Sequence, residues 1–408
     1  MRYLHIIILI LLGGTVSSCW IEAAEDSPNG PGEPDPIPYE NVSSSNLPTG
    51  SLSGSSMNAL AVDIEQDGDL DLVIASQGPN KILLNNGSGE FSILSNSILD
   101  RFNFNSQDVA VADFNGDSRF DLFFGNAADQ TTSQTNEFYL NLGNVSFSND
   151  LGQIPVTGIS NSSLARDLNR DGFIDILIGN SGQNILLINN GNARFFDQTG
   201  QRLPSRFDLT RDIEVGDITG NGFPDIIVAN ENDDNRVLAN NGSGIYLDQT
   251  GARLPVISAI EETREVELAD VDGDGDLDIY YSNVRIFESG ADPQDRLLIN
   301  NGQGVFSDVT SSQLPQKTSN TFDTDFLDID SDGDLDILTG NFNGGVQVFL
   351  NNGAGTFTDD TENWLPEGLN PRVVDFEVAD YNGDQLPDIY IAVFDGADVL
   401  LLRKDQEQ

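Results

Sequence analysis

Asp270-Val271-Asp272-Gly273-Asp274-Gly275-Asp276-Leu277-Asp278 puts a carboxylate at every second place of a nine-residue stretch. No helix or sheet core can use that alternation, because the acids would repel one another and lose their hydration. A loop folded around something positive can use it, and the glycines supply the tight backbone turns that such a loop needs. The pattern acid-x-acid-x-acid-Gly-x-x-Asp recurs seven times, with substitutions at its third, fifth or sixth place in four copies, beginning at Asp63, Asp113, Asp167, Asp217, Asp270, Asp328 and Asp380. Successive starts lie 50, 54, 50, 53, 58 and 52 residues apart. Recurrence that regular marks a chain assembled from one supersecondary unit.

The flanks of the loops identify the unit. Glu265-Val-Glu-Leu-Ala-Asp270 alternates with the period of a half-buried strand, and an apolar run such as Asp225-Ile-Ile-Val-Ala229 follows each loop. A third run then leads into Asn85-Asn86-Gly87, Asn189-Asn190-Gly191, Asn240-Asn241-Gly242, Asn300-Asn301-Gly302 or Asn351-Asn352-Gly353. Asn-Gly favours a tight hairpin, which predicts a fourth strand around Phe91, Phe195, Tyr246, Phe306 and Phe357. Four antiparallel strands make one blade, so the chain reads as all-β, a seven-bladed β-propeller over residues 39–408.

The last unit stops at Val399-Leu-Leu-Leu402 without a fourth strand. Tyr39-Glu-Asn-Val-Ser-Ser-Ser-Asn-Leu-Pro48 matches Phe306-Ser-Asp-Val-Thr-Ser-Ser-Gln-Leu-Pro315, the fourth strand and exit of another blade. The N-terminal strand is therefore expected to close the ring, leaving no open sheet edge. Ahead of it, residues 1–18 read as a secretory signal with an apolar stretch from Ile6 to Leu12. Residues 19–38 are acidic and rich in Pro and Gly, the composition of an extended tether. Val16-Ser-Ser-Cys19 resembles the bacterial lipobox, which implies lipidation of Cys19 and anchorage in the cell envelope; a plain signal with a chance cysteine is the alternative. Trp20, standing where an inner-membrane retention signal would have Asp, favours the outer membrane. Cys19 is the only cysteine, so no intrachain disulfide supports the fold.

Oxygen ligands at loop positions 1, 3, 5 and 9 suit a hard cation that takes six to eight oxygens, and calcium fits best. The candidate ligands are Asp63, Glu65, Asp67 and Asp71; Asp113, Asn115, Asp117 and Asp121; Asp167, Asn169, Asp171 and Asp175; Asp217, Thr219, Asn221 and Asp225; Asp270, Asp272, Asp274 and Asp278; Asp328, Asp330, Asp332 and Asp336; and Asp380, Asn382, Asp384 and Asp388. The loop at Asp217 offers two carboxylates and should bind most weakly. Ser118 and Gln385 stand where the other loops have a sixth-position glycine, which puts the turn there in question. An EF-hand needs Glu at position 12, where the first loop has Ile74. Polar turns that bind nothing are the remaining alternative.

These repeats resemble the FG-GAP or VCBS type known from the integrin α-subunit propeller and from bacterial surface proteins. The resemblance covers residues 39–402 and implies that the matching loop acids bind calcium; it implies no activity.

With 66 acidic and 19 basic residues the net charge is −47, which disfavours nucleic acid and anionic lipid surfaces. The single histidine, His5, lies in the signal, so triads and His-ligated metals are excluded from the mature chain. The expected role is a binding or adhesion module, not an enzyme, with an extracellular protein or glycan as partner. A polysaccharide lyase or glycosidase on the same scaffold is the alternative, since carboxylate pairs suffice for sugar chemistry. The ligand face should lie opposite the Asp loops, where the connections Asn126 to Glu137 and Asn283 to Arg296 are longer. Arg101, Phe102, Arg206, Arg211, Arg264, Trp364 and Arg372 are its candidate residues.

Overall fold

The computed structural model describes residues 38–48, 55–95, 97–101, 103–127, 135–149, 153–156, 158–257 and 260–404. The signal, Cys19, the tether up to residue 37 and Phe102 lie outside the described residues. The fold is all-β and antiparallel, and the repeating unit is four strands.

In the fifth unit these are Thr263–Ala269, Asp278–Asn283, Arg296–Asn300 and Phe306–Asp308. The Asp loop joins the first strand to the second, and the Asn-Asn-Gly turn joins the third to the fourth. The second strand is buried along its whole length in this unit, because it is covered on both faces. The first strand of every unit carries a register shift near its start, for example between Thr263 and Glu265, at the end remote from the Asp loop. Each shift leaves one residue unpaired: Met57, Gln107, Asn161, Arg211, Arg264, Phe322 or Val374.

Seven separate four-stranded sheets were expected, and here the structure differs. Three sheets have four strands, while the first and second units merge into one eight-stranded sheet and the third and fourth into another. The cause is local. Asp71–Gly78 and Asp175–Gly182 are eight residues long where the second strands of the other units have six, and their extra ends reach the next unit. Gly78 then pairs with Phe104 and Gly182 with Asp208.

Tyr39–Asn41 pairs antiparallel with Val399–Arg403, in the register Tyr39 to Arg403 and Asn41 to Leu401. Tyr39 is 2 % exposed and its hydroxyl donates to the Pro387 carbonyl at 2.8 Å. Among the described residues the apolar core falls into seven clusters, each formed between the facing sheets of two consecutive units. One of them joins the last unit to the first, packing Ala379, Tyr381, Tyr390 and Leu400 on Ala59, Ala61, Leu72 and Phe91. There Phe91 and Tyr381 meet edge to face at 5.5 Å.

Candidate metal loops and the opposite face

Every Asp loop is tied up by its own backbone. Asp270 Oδ1 accepts the Gly273 and Asp274 amides at 2.9 and 3.1 Å, and its Oδ2 accepts Gly275 N–H at 3.0 Å. Asp272 and Asp274 accept the amides two residues on, at 3.3 and 3.0 Å. Positions 4 and 6 are left-handed in all seven loops, with φ between 62° and 101°. Ser118 (φ 67°) and Gln385 (φ 69°) adopt the same turn as the glycines, so the loop geometry survives at a strain of about 1–2 kcal/mol for each side chain. At the neighbouring turn a glycine is needed for room as well, since a Cβ on Gly302 (φ 78°) would lie 2.6 Å from Asp276 Oδ2.

The ninth-position acid does a different job. Asp278 is buried; its Oδ2 accepts Val271 N–H at 3.1 Å and its Oδ1 accepts Asn300 N–H at 2.8 Å. The loop is thereby clamped to the third strand. Asn300 Nδ2 continues the chain of contacts to the Ile218 carbonyl of the preceding unit, at 2.9 Å. The same tie runs from Asn189 to Phe114, from Asn351 to Val271, and from Asn85 in the first unit to Tyr381 in the last. In sequence these asparagines read as turn formers only, and their repetition at one place per unit is the signal of the tie.

Among the described residues, two sets of carboxylates converge. Ligand oxygens of Asp270, Asp272 and Asp278 lie within 4.8 Å of one another, as do those of Asp328, Asp330 and Asp332. These belong to the two fully acidic loops. Asp328 Oδ1 is buried and has no hydrogen-bond partner among the described residues, an arrangement that costs free energy unless a cation or water meets it. Hard carboxylate oxygens gathered this closely fit a calcium-sized cation. Burial, followed by the adjacent carboxylates, pushes Asp272 and Asp330 above the usual carboxylate range.

Burial also pushes Asp71, Asp121, Asp175, Asp278 and Asp388 up to about 7 and Asp336 to about 6, with backbone N–H groups opposing. A raised folded-state value means that the metal-free fold holds protons that the unfolded chain has released. Its stability must then fall as pH rises from about 4 to 7, and the penalty is complete above that window. Chelator-treated protein is expected to melt at a higher temperature at pH 5.5 than at pH 8 in a calorimetric series, whereas calcium-saturated protein, whose ions compete with those protons, reverses the order. Identical slopes with and without calcium would contradict this account.

At the other end of the first strands, residues of all seven units meet around one cavity. The residue after each unpaired one, namely Asn58, Asp108, Ser162, Asp212, Glu265, Asp323 and Asp375, forms a belt of cross-unit hydrogen bonds. Asp375 Oδ2 accepts Ala59 N–H at 2.8 Å, Asn58 Oδ1 accepts Val109 N–H at 3.3 Å and Asp108 Oδ2 accepts Ser163 N–H at 2.5 Å. Ser162 Oγ donates to Asp212, whose other oxygen accepts Val266 N–H; Glu265 accepts Thr324 N–H, and Asp323 accepts Phe376 N–H. The belt thus runs through every unit and returns to its start.

Of the candidate ligand residues, Arg211 and Arg264 stand side by side at this cavity and share Glu231, at 2.5 and 3.1 Å. The Arg264 guanidinium lies over Phe287 and Phe322 at 5.1 and 5.2 Å. Arg372 packs over Phe342, which stacks on Phe322 at 4.9 Å. The others go elsewhere: Arg206 pairs with Asp248 at a fourth strand, Trp364 lies beside Arg403 and donates to Asp360, and Arg101 ends a short 3₁₀ turn. The connection Asn283 to Arg296 is pinned by buried Glu262, which accepts the Ile286, Phe287 and Glu288 amides at 3.0–3.2 Å.

Comparison with known proteins gives a consistent family. The FG-GAP-like repeat matches residues 63–124, 167–228, 217–281, 286–339 and 328–391. Cartilage acidic protein 1 of Homo sapiens is 26 % identical over 313 residues, covering 68 % of this chain and 46 % of that protein. Its Xenopus tropicalis counterpart is 25 % identical over 319 residues, covering 68 % and 47 %. The chain therefore spans less than half the length of the curated relatives it matches. Among solved structures, BBS1N in complex with ARL6DN aligns over 90 % of this chain and 97 % of its own, with a TM-score of 0.52 at 11 % identity. An Agrocybe aegerita protein solved for its specific recognition of non-reducing terminal N-acetylglucosamine aligns over 88 % and 87 %, with a TM-score of 0.48 at 17 % identity.

Proposed function

The chain belongs to the FG-GAP-like repeat family, and from that premise we propose that it is a closed seven-bladed propeller, stabilised by calcium in its Asp loops, that serves as a binding or adhesion module. The partner is an extracellular protein or glycan, held on the face away from the loops, and Cys19 carries the lipid that keeps the module at the cell envelope. Ring closure is supported by the core cluster that joins the last unit to the first and by the Asn85 tie to Tyr381. The calcium reading is carried by one observation, the convergence of Asp328, Asp330 and Asp332 around a buried oxygen that has no partner among the described residues. In the fully acidic loops the residues at positions 1, 3, 5 and 9 would hold the ion, which would neutralise carboxylates that burial leaves costly to ionise.

Equilibrium dialysis tests the reading. The protein is expected to take up as many as seven calcium ions, with Asp328→Ala lowering the count by one and the loop at Asp217 filling last. Uptake below one ion per chain at millimolar calcium would defeat it.

A further inference from the structure

The seven unpaired residues of the first strands are the place where the repeats stop repeating. The belt residues beside them are nearly uniform, five of the seven being Asp or Glu. The unpaired ones are Met57, Gln107, Asn161, Arg211, Arg264, Phe322 and Val374, and all of them line a single pocket at the mouth of the cavity. A bulge redirects a side chain without altering the sheet on either side of it, so these positions can vary while the scaffold stays fixed.

Their order around the ring is not random in chemistry. Phe322, Val374 and Met57 come from the sixth, seventh and first units, and form an apolar arc. Gln107, Asn161, Arg211 and Arg264 come from the second to the fifth, and form an arc of amides and guanidiniums. The Arg264 side chain is 10 % exposed, and its Nε has no hydrogen-bond partner among the described residues. A polar group left so is a donor that an occupant can satisfy. Five belt carboxylates against two guanidiniums give the mouth an excess of negative charge, which disfavours an anionic ligand. The two guanidiniums on one arc disfavour a cation there. What remains is a neutral molecule with one apolar side and a rim of donors and acceptors, the description of a sugar ring. The pocket holds about 80 Å³ beneath an open mouth, short of the roughly 300 Å³ or more of an enclosed small-ligand site, so it can take one end of a ligand and leave the rest in solvent.

We propose that this mouth binds the neutral terminal sugar of a glycan, its C–H face on Met57, Val374 and the edge of Phe322 and its hydroxyls on Gln107, Asn161, Arg211 and Arg264. The proposal rests on the binding-module reading and specifies its ligand class and place. Gln107 is the position to alter, because among the described residues its side-chain amide is seen to hydrogen-bond with Asn105 Oδ1, at 2.9 Å, and not with the belt, so the belt stays intact. The calcium-loaded protein, with Gln107→Ala and Gln107→Trp variants, is applied to an array of neutral hexose- and pentose-terminated oligosaccharides, uronate-terminated ones, and acidic and basic peptides. Binding confined to neutral sugars, weakened roughly tenfold by Gln107→Ala and abolished by Gln107→Trp at an unchanged melting temperature, is the expected result. Neutral binding that Gln107→Trp leaves intact overturns the location while sparing the binding module. Binding to peptides or uronates alone overturns the ligand class. An array blank for every probe overturns the proposal, and the calcium count from dialysis then judges the scaffold separately.

Discussion

Calcium added to chelator-stripped protein is expected to raise its melting temperature by about 10–15 °C. At free calcium about ten times the dissociation constant, each site contributes roughly 1.4 kcal/mol, so seven sites contribute about 10 kcal/mol. Unfolding entropy of about 2 cal/mol/K per residue over roughly 370 residues gives about 0.75 kcal/mol/K, and the quotient is about 13 °C. The sum compares with the whole net stability of an ordinary domain. Electrostatics point the same way: filling seven sites takes the formal charge from −47 to −47 + 14 = −33. Scanning calorimetry with EDTA and with millimolar calcium reads the effect, and coincident melting curves would rule it out. Magnesium serves as control, since it prefers a smaller, octahedral and largely hydrated site and should produce a small fraction of the shift.

Removal of residues 1–48 is expected to have the second large effect. The truncation strips three ladder pairs from Val399–Arg403 and takes away buried Tyr39 and Leu47, which pack in the clusters on either side of the last unit. Large core side chains cost roughly 3–5 kcal/mol each when truncated, so the loss is about 6–10 kcal/mol before the newly exposed sheet edge is counted. Tyr39→Ala in the full chain separates packing from the edge: it is expected to cost about 3–5 kcal/mol in urea denaturation and to leave the protein monomeric, whereas the truncated chain also self-associates through its bare strand. A truncated protein as stable as the full chain would mean that the strand is an accessory to the last sheet and does not hold the fold together.

The Asp loops and the pairing of the N-terminal strand with the last unit were legible because both are written as repeats. Nine-residue loops recur at near-constant spacing, and Tyr39–Pro48 is a recognisable copy of Phe306–Pro315. What escaped were features with no spelling of their own. A bulge is one surplus residue in a strand, and Arg211 or Phe322 looks in sequence like any other member of an alternating run. The pairing of Gly78 with Phe104 depends on two extra residues at a strand end, and strand ends are where sequence reading is weakest. Arg and aromatic residues between blades were gathered into one ligand face, yet Arg206 and Trp364 serve the fourth strands while Arg211 and Arg264 reach the cavity. Residue type was the same in each case. The height at which the side chain leaves the sheet made the difference, and only pairing register reveals it.

The seam between Tyr39–Asn41 and Val399–Arg403 also sets how the molecule carries load. Pro38 and Lys404 sit side by side, joined by Lys404 N–H to the Pro38 carbonyl at 2.7 Å. Tension applied between the two chain ends would therefore peel the seam one pair at a time, which takes little force. Tension entering at Pro38 and leaving through a ligand on the far face would run along the strand and load all three pairs together. Under that pull the seam is a buckle fastened in its strong direction.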